Sequence, residues 1–506
     1  MSTTRVAATI VAAFLIIFWY SWLMNKSKTI SPPLPPGPRG LPLVGNLPFV
    51  EPEFHRYFAK LSEIYGPIFK LQLGRKTCIV IGSNFLAKQI LKGRDAIFAN
   101  RDPPVVALAA TYGGLDIAWR PNSEGWRKLR KVCVREMMSN TTLDACYMLR
   151  RRELRKMVKE VYEKVGSPVN IGEQIFLTIL NIILSMLWGE ALHDKDRKGI
   201  GVELQQAVLE IVELLGKPNI SDLYAALAKL DLQGIESKIN KLRQWFDTIF
   251  ESVIADHNYV DQAKSKISKE FLQFLLEHMK QGDNKSTFSI TELKALFMDI
   301  IVAGTDTKST TVEWAMAEIL KHPEVMAKIH EELERVVGNN NIVEESQLPE
   351  LPYLEAVIKE TLRLHPPIPL LIPHSPSISC TVAEYTIPKG LRVFFNVWEI
   401  QRNPDAWNDP LEFQPDRFLK EAGKSDYWGN DFNFLPFGSG RRVCAGIPLA
   451  DRMVKHALAT LLHSFDWKLE EGTELDLTEK FGIVLKKMTP LVCIPTAKLS
   501  TAESYC

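Results

Sequence analysis

The residue with the most specific chemical setting in this sequence is Cys444, which lies in the glycine-rich segment 437–446. An apolar helical pattern begins directly after it, and a cysteine just ahead of a helix has its thiolate favoured by free backbone N–H groups and the helix dipole. Arg442 adds a positive charge nearby, and the glycines leave room for a flat molecule against the backbone. We therefore predict that Cys444 carries chemistry, although an arbitrary cysteine at a helix start is usually a buried structural residue.

A second segment has small and polar residues in the middle of a long helix. Ser289, followed three residues later by Glu292, is a capping-box pattern that opens an apolar run leading into residues 302–307. Gly304, Asp306 and Thr307 lie there. Such a group by itself is most often a helix end or a turn, so its functional interpretation depends on Cys444.

Three weaker signals accompany these two segments. Trp126 and Arg130 stand four positions apart in a basic helical pattern, Glu360 and Arg363 have the i,i+3 spacing of one helix face, and Arg417 lies in the segment 415–418. A basic amphipathic helix and a solvated helix pair are the ordinary alternatives for the first two.

The elements that must position these residues are mostly helical. The pattern is helical over most of residues 120–365, and beyond 365 frequent prolines and glycines predict loops and short strands up to Cys444. A β-hairpin is predicted with strands at 68–73 and 77–81 and a turn at 74–76. No linker pattern interrupts residues 50–495, so we predict one large domain, mainly α with a minor β part, over residues 41–506.

Composition excludes several classes of protein. Of the 506 residues 46% are hydrophobic, which is incompatible with a disordered chain. Lys and Arg number 61 against 60 Asp and Glu, so no net charge is available to hold nucleic acid. The seven cysteines include no Cys-x-x-Cys pair, which favours a reducing compartment over a disulfide framework.

The N-terminal residues are typical of a membrane anchor. Residues 6–24 contain no charge and are long enough to cross the hydrocarbon layer once, with Trp19, Tyr20 and Trp22 near one end. More basic residues follow this segment than precede it, which predicts a cytosolic location for the rest of the chain. We therefore predict a transmembrane anchor at 1–24 and a basic, proline-rich hinge at 25–40 that acts as a stiff spacer.

The segment 437–446 fits the pattern Phe-x-x-Gly-x-Arg-x-Cys-x-Gly and resembles the haem-thiolate loop of cytochromes P450. The other marks of that family follow: residues 302–307 resemble its distal helix, 360–363 its Glu-x-x-Arg pair, and 126–130 its Trp-x-x-x-Arg element. The resemblance implies the P450 fold and haem b (iron protoporphyrin IX) as cofactor, with Cys444 as the iron ligand. Residues implied to bind the haem or brace its site are Trp126, Arg130, Glu360, Arg363, Arg417, Phe437, Gly440, Arg442 and Gly446.

The resemblance also implies a monooxygenase. Thr307 and Asp306 would deliver protons during oxygen activation, Gly304 would open the helix groove for dioxygen, and Lys308 stands where the family usually has Thr or Ser. The chain has no dinucleotide-binding motif, so electrons would come from NADPH–cytochrome P450 reductase at the endoplasmic reticulum membrane. A basic face for that partner is expected from Lys128, Arg130, Lys131, Arg135, Arg150, Arg151, Arg152, Arg441, Arg452 and Lys455.

The sequence predicts the type of reaction but only a class of substrate. The chain resembles plant A-type microsomal P450s, and residues 111–117 and 150–153 most resemble the sesquiterpene (cadinene and valencene) hydroxylases. The matching substrate-contact residues are Val106, Leu108, Leu296, Ile300, Ala303, Ile368, Leu370, Leu371, Ile483 and Val484. Their apolar character predicts a terpenoid substrate, with a flavonoid hydroxylase, an aldoxime dehydratase or an isomerase as alternatives.

Overall fold

The structure is a computed structural model, and it describes residues 11–21, 32–189, 194–259, 270–281, 288–420 and 425–505. Within these residues the α-helices are α1 (Val11–Ser21), α2 (Phe54–Tyr65), α3 (Asn84–Leu91), α4 (Val105–Ala110), α5 (Glu124–Val132), α6 (Asn140–Ala145), α7 (Tyr147–Tyr162), α8 (Ile171–Trp188), α9 (Asp194–Gly216), α10 (Ile220–Leu223), α11 (Ile235–Tyr259), α12 (Phe271–Gln281), α13 (Ile290–Lys321), α14 (Pro323–Val337), α15 (Pro352–Leu364), α16 (Val397–Ile400), α17 (Asp416–Lys420) and α18 (Ile447–Ser464). The strands are β1 (Ile68–Leu73), β2 (Lys76–Ile81), β3 (Asn100–Arg101), β4 (Val169–Asn170), β5 (His374–Ser375), β6 (Cys380–Val382), β7 (Tyr385–Ile387), β8 (Arg392–Phe395), β9 (Phe465–Leu469), β10 (Glu479–Lys480), β11 (Lys486–Lys487) and β12 (Val492–Ala497).

Helix α13 is the central element, and it begins where the sequence predicts. Ser289 Oγ accepts the Glu292 N–H at 3.2 Å while Glu292 Oε2 accepts the Ser289 N–H at 2.8 Å, which completes the capping box. The helix packs against α8 on one side and α18 on another. It therefore links the predicted distal segment to the helix that follows Cys444.

Helix α8 is the one helix in the described residues that is long and apolar enough to cross a membrane. However, 78% of it is buried inside the molecule, where it packs against α13, so it is a core helix. Helix α1 is shorter, and its apolar side chains are exposed along its described length. The rest of the predicted anchor at 1–24 and the first part of the hinge lie outside the described residues.

The described part of the hinge, residues 32–40, is not helical and is attached to the domain. Pro36 O accepts the Lys70 N–H of β1 at 2.7 Å, and Pro33 O accepts the Thr386 N–H of β7 at 2.8 Å. These contacts place the hinge along the edge of the β part, so its end is fixed to the domain and is not a free spacer.

The predicted β-hairpin is present, with a turn one residue shorter than predicted. β1 and β2 pair antiparallel from Ile68 opposite Ile81 to Leu73 opposite Lys76, so Lys76 belongs to the strand and the turn is Gly74 and Arg75. The hairpin forms the edge of a five-stranded sheet in the order β1-β2-β8-β5-β3. The architecture is mainly helical with a minor β part, as the sequence predicts.

A buried charge network joins α15 to the loop before α17. Arg363 donates to both carboxylate oxygens of Glu360, at 2.7 and 2.8 Å, and Arg417 Nε donates to Glu360 Oε1 at 3.0 Å. Arg363 also donates to the carbonyls of Gln401 at 3.0 Å and Pro410 at 2.7 Å. Glu360 and Arg363 are fully buried, so each charge depends on the others for its stability.

We predict that Glu360→Ala destabilises the protein by about 3–5 kcal/mol, because it leaves two buried guanidinium groups without a carboxylate. The exposed Glu51–Lys60 pair provides the control, and Glu51→Ala is expected to cost at most ~1 kcal/mol. Denaturant unfolding of the haem-loaded proteins measures both changes. Equal effects of the two substitutions would contradict the bracing role of Glu360.

Candidate functional site

The principal cavity lies between the distal helix α13 and the loop that carries Cys444. It contains about 2100 Å³ of empty space, part of which is continuous with solvent. Thr307 of α13 and Cys444 both line it, together with the segment Ile117, Ala118 and Trp119. The two segments that the sequence singles out therefore face one space.

Cys444 is held at the start of α18 with its thiol open to this cavity. Its N–H donates to Phe437 O at 3.0 Å, which closes the loop, and its Sγ accepts the Gly446 N–H at 3.3 Å. Burial raises the pKa of the thiol, while the Gly446 N–H and the charges of Lys308 and Arg130 lower it. The net shift is upward, so the Gly446 N–H and the two positive charges only partly offset burial, and a bound metal cation would be needed to stabilise the thiolate.

The glycines of the loop have different roles. Gly440 has φ of +70°, and a Cβ on it would lie 2.1 Å from Leu91 O, so only glycine fits. It does not line the cavity, and its role is to let the loop pass close to α3. Gly446 and Phe437 do line the cavity, beside the thiol.

Three arginines form a cationic cluster at one edge of the cavity: Arg442, which is buried, and Arg101 and Arg130, which are partly buried. Their hydrogen bonds go to backbone carbonyls, for example from Arg442 to Ala99 O at 2.7 Å and to Ile117 O at 3.0 Å. Within the described residues none of the three forms an ion pair with a carboxylate. Burial and neighbouring guanidinium groups lower the pKa of Arg442 to about 9.

Trp126 supports this cationic cluster and is not itself at the cavity surface. Its ring lies 4.0 Å from the Arg442 guanidinium carbon and 5.6 Å from that of Arg130. Its Nε1–H donates to Ile117 O at 2.9 Å. In this structure the indole N–H is therefore occupied by the backbone, and Trp126 acts by orienting the two arginines.

The cavity fits haem b. A thiolate faces the cavity, and a cluster of unneutralised cations at its edge requires an anion, as the two propionates of iron protoporphyrin IX supply. The walls between them are mostly apolar, as a porphyrin ring requires.

Sequence reasoning missed two residues of this edge, Arg101 and His374. Both line the cavity, and Arg101 belongs to β3, which pairs with the β5 residue His374. His374 Nδ1 hydrogen-bonds Phe98 O at 2.8 Å, and burial lowers its pKa well below the usual value. A two-residue strand has no periodic pattern, so no sequence signal distinguished either residue.

The polar residues of α13 face different directions. Thr307 lines the cavity and its Oγ1 donates to Ala303 O at 2.7 Å. Asp306 is 2% exposed and pairs with Lys486 of β11 at 2.6 Å, on another side of the helix. Burial raises the pKa of Asp306, and the Lys486 charge opposes that shift.

Lys308, the departure from the family pattern, is buried and lines the cavity. Its Nζ donates to Gly304 O at 2.6 Å, and burial lowers its pKa to about 8. A Cβ on Gly304 would lie 3.0 Å from Ile183 Cδ1 of α8, so this glycine lets the two helices approach.

Six of the ten predicted substrate contacts line the cavity: Ile300, Ala303, Ile368, Leu371, Ile483 and Val484. The other four, Val106, Leu108, Leu296 and Leu370, do not. Val106, Leu296 and Leu370 are buried in the core, and Leu108 is exposed. Adjacent side chains on one element point in different directions, so Ala107 faces the cavity where Val106 does not, and Leu371 faces it where Leu370 does not. Helix α9 adds Ile211, Val212 and Leu215, which the sequence analysis did not include.

Glu360, Arg363 and Arg417 do not touch the cavity. They brace the segment between α15 and α17 and support the site from outside.

The basic face predicted for the electron donor is partly neutralised. Arg150 is buried against Glu345 at 2.7 Å, and Lys455 pairs with Asp451 at 2.8 Å. Arg151 and Arg452 also form ion pairs, and Arg130 belongs to the cavity. The exposed positive residues of the predicted face are Arg441 and, on or just after α5, Lys128, Lys131 and Arg135.

Comparison with known proteins agrees with this geometry. The profile of the family described as Cytochrome P450 matches residues 35–494. A flavonoid 3'-monooxygenase from Crocosmia x crocosmiiflora is 38% identical over 506 residues, covering 98% of both chains. One from Arabidopsis thaliana is 38% identical over 492 residues, covering 96% of both. A geraniol 8-hydroxylase from Swertia mussotii is 38% identical over 493 residues, covering 96% of this chain and 98% of its own.

A solved structure of a zebra fish cytochrome P450 with progesterone has a TM-score of 0.76 and 25% identity, covering 87% of this chain and 99% of its own. The predicted fold class is thereby confirmed. The narrower resemblance to sesquiterpene hydroxylases is not supported by these comparisons, in which flavonoid 3'-monooxygenases are prominent.

We predict that Cys444→Ala abolishes the thiolate-type spectrum of the reduced carbon monoxide complex, because the Cys444 sulfur faces the cavity and accepts a backbone N–H from Gly446. Cys133 is the matched control, since it also lines the cavity but burial raises its pKa to about 12. Cys133→Ala is expected to keep the spectrum. The opposite pattern would show that Cys133 is the ligand.

Proposed function

The chain belongs to the cytochrome P450 family and is a haem b monooxygenase, and from this premise we propose that it hydroxylates a flavonoid-type aromatic compound. The observation that carries the substrate class is the match to flavonoid 3'-monooxygenases over nearly the whole length of both chains. The cavity is compatible with such a ligand, because its mostly apolar wall includes the hydroxyl groups of Thr111, Thr307 and Thr311.

The chain's own residues hold and orient the cofactor in this proposal. Cys444 ligates the iron, and Arg101, Arg130, Arg442 and His374 receive the propionates. Bound haem b supplies oxygen activation, for which a thiolate ligand is the suitable donor and two electrons must come from outside the chain.

Thr307 and Asp306 handle protons. The Thr307 hydroxyl lines the cavity and can both donate and accept a hydrogen bond there. In the structure it donates to Ala303 O. Asp306 pairs with Lys486, which is 31% exposed and so connects the carboxyl towards solvent. A proton moving from Lys486 or water to Asp306 and then to the Thr307 region would reach the cavity without opening it.

A terpenoid is the second candidate substrate. It is favoured by the apolar residues of α9, α13 and 483–484 around the cavity and by the similarity to a geraniol 8-hydroxylase. An aldoxime dehydratase or an isomerase has no need of the Asp306–Thr307 arrangement, which argues against both.

Product analysis tests the substrate class. Microsomes that contain this chain and a P450 reductase are supplied with flavonoids, monoterpenes and sesquiterpenes, and aldoximes in parallel, with and without NADPH. We expect an NADPH- and oxygen-dependent hydroxylated flavonoid. Turnover of terpenes alone would replace the first candidate with the second, and turnover without NADPH would contradict a monooxygenase.

We further propose that the protein is held in the endoplasmic reticulum membrane by residues 1–24 and receives electrons from NADPH–cytochrome P450 reductase. Lys131 and Arg135 are exposed, as is Arg441, which pairs with Asp95 at 3.2 Å, and such positive charges suit an acidic partner. Removal of residues 1–24 is expected to shift the protein from the membrane to the soluble fraction while the haem spectrum is kept. Loss of haem binding would show that the segment belongs to the domain.

We predict that Thr307→Ala keeps substrate binding and NADPH consumption but yields less product and more hydrogen peroxide. The reason is that the hydroxyl that directs protons to the productive position is missing. Thr305→Ala is the matched control, since Thr305 is fully buried and donates to Ile301 O at 2.7 Å. Product, peroxide and NADPH are measured together. Unchanged product per NADPH in Thr307→Ala would remove this residue from the mechanism.

A further inference from the structure

Residues 116–119, called here the roof segment, connect the distal helix to the cationic cluster. The Ile117 N–H donates to Asp299 Oδ2 of α13 at 2.7 Å. The Ile117 carbonyl accepts the Trp126 indole N–H at 2.9 Å and Arg442 at 3.0 Å. Ile117 therefore connects α13 to Trp126 and Arg442, at the edge of the cavity where the cationic cluster lies.

Two carboxyl groups hold this segment, and one of them, Asp299, is only partly buried and lines the cavity. Asp116 is fully buried and its Oδ2 accepts the Trp119 N–H at 3.0 Å, but its Oδ1 has no N–H or hydroxyl donor within the described residues. The Asp299 carboxyl accepts the N–H of the residue next to Asp116 and lies beside the Asp116 carboxyl, close enough for the two groups to share a proton. Two carboxylates offer only acceptors, so this contact needs a proton on one of them.

The electrostatic environment favours that proton. Burial and the adjacent Asp116 charge raise the pKa of Asp299 well above its usual value, and burial raises that of Asp116. The charged groups nearby are Arg442, which stabilises a negative charge on Asp116, and Arg101, which also acts on Asp116. Cys133 lies near Asp299 from the other side, and burial keeps its thiol neutral. A proton shared by the two carboxyl groups would leave the pair with a single negative charge beside the arginines.

We propose that Asp116 and Asp299 share one proton, and that this proton holds the roof segment against the distal helix and positions Arg442 for the cofactor. The two aspartates are positioning residues for the haem and substrate site. The proposal does not depend on the substrate class, because it concerns only how the cavity wall is held.

The proposal has a definite pH dependence. We call the roof segment closed when Ile117 and Trp119 are bonded to the aspartate pair, and open when those bonds are broken. The closed pair binds one proton. Once the segment opens, the two aspartates are separate and exposed to solvent, and above their ordinary pKa of ~4 neither holds a proton. Opening therefore releases a proton, and its equilibrium constant rises up to about tenfold per pH unit until the pair's own raised pKa is reached. Closure is complete at low pH and weakens as pH rises, in the direction expected for a raised pKa.

Hydrogen exchange of the Ile117 and Trp119 amides in the haem-loaded full chain measures this directly, because both N–H groups donate to the pair. Protection factors, which remove the intrinsic effect of pH on exchange, are compared between about pH 6 and about pH 8, where one released proton predicts a fall of up to ~100-fold. Asp299→Asn should remove this slope, because its amide group donates to Asp116 and accepts from Ile117 at every pH. Asp299→Leu should show low protection throughout.

Glu332→Gln is the matched control for replacing a buried carboxyl by an amide. Glu332 accepts the N–H groups of Tyr353 at 2.8 Å and Leu354 at 2.9 Å, far from the cavity, and this variant should keep the wild-type slope at Ile117. A flat wild-type profile, or a slope that persists in Asp299→Asn, would overturn the proposal. If Asp299→Leu fails to fold, the comparison of wild type with Asp299→Asn still decides.

Discussion

The structure depends on positive charge that the chain gathers at one edge of its cavity with no carboxylate in ion-pair contact among the described residues. Arg101, Arg130 and Arg442 meet at one edge of the cavity, and within the described residues their hydrogen bonds go to backbone carbonyls. Buried cations without carboxylate partners cost free energy, so the fold is completed by an anion. The propionates of haem b would provide it, and Cys444 would ligate the iron.

Each of these cations is held by a different part of the chain. Arg101 comes from β3, Arg130 from α5 and Arg442 from the loop before α18, and each donates to a carbonyl of a different segment from its own. Ile117 connects one of these cations to α13, since its carbonyl accepts a hydrogen bond from Arg442 and its N–H donates to the Asp299 carboxylate. The Glu360–Arg363–Arg417 network lies outside the cavity and fixes the backbone around residues 401–412.

The sequence predicted what short-range patterns encode. Cys444, the Ser289 capping box, the β1–β2 hairpin and the Glu360–Arg363 pair all depend on spacings of a few residues, and the structure contains each arrangement. The hairpin turn was predicted one residue too long, because Lys76 pairs with Leu73 as part of the strand.

What the sequence did not predict comes from contacts between distant segments. Arg101 and His374 meet across two strands of two residues each, and Asp116 contacts Asp299 from 183 positions away in the numbering. The substrate residues were partly misjudged for the same reason. Leu370 and Leu371 are adjacent and equally apolar, but Leu371 has φ of +51° and only its side chain faces the cavity.

The central claim, that the cationic cluster is completed by the propionates of the cofactor, is tested most directly by comparing two cofactors. Apoprotein is titrated with haem b and with its dimethyl ester, in which both carboxylates are neutral but the ring and iron are unchanged. The account predicts that the ester binds much more weakly, by at least ~100-fold if each lost charge-assisted contact is worth about 1.5 kcal/mol or more. Equal affinity for the two cofactors would contradict it.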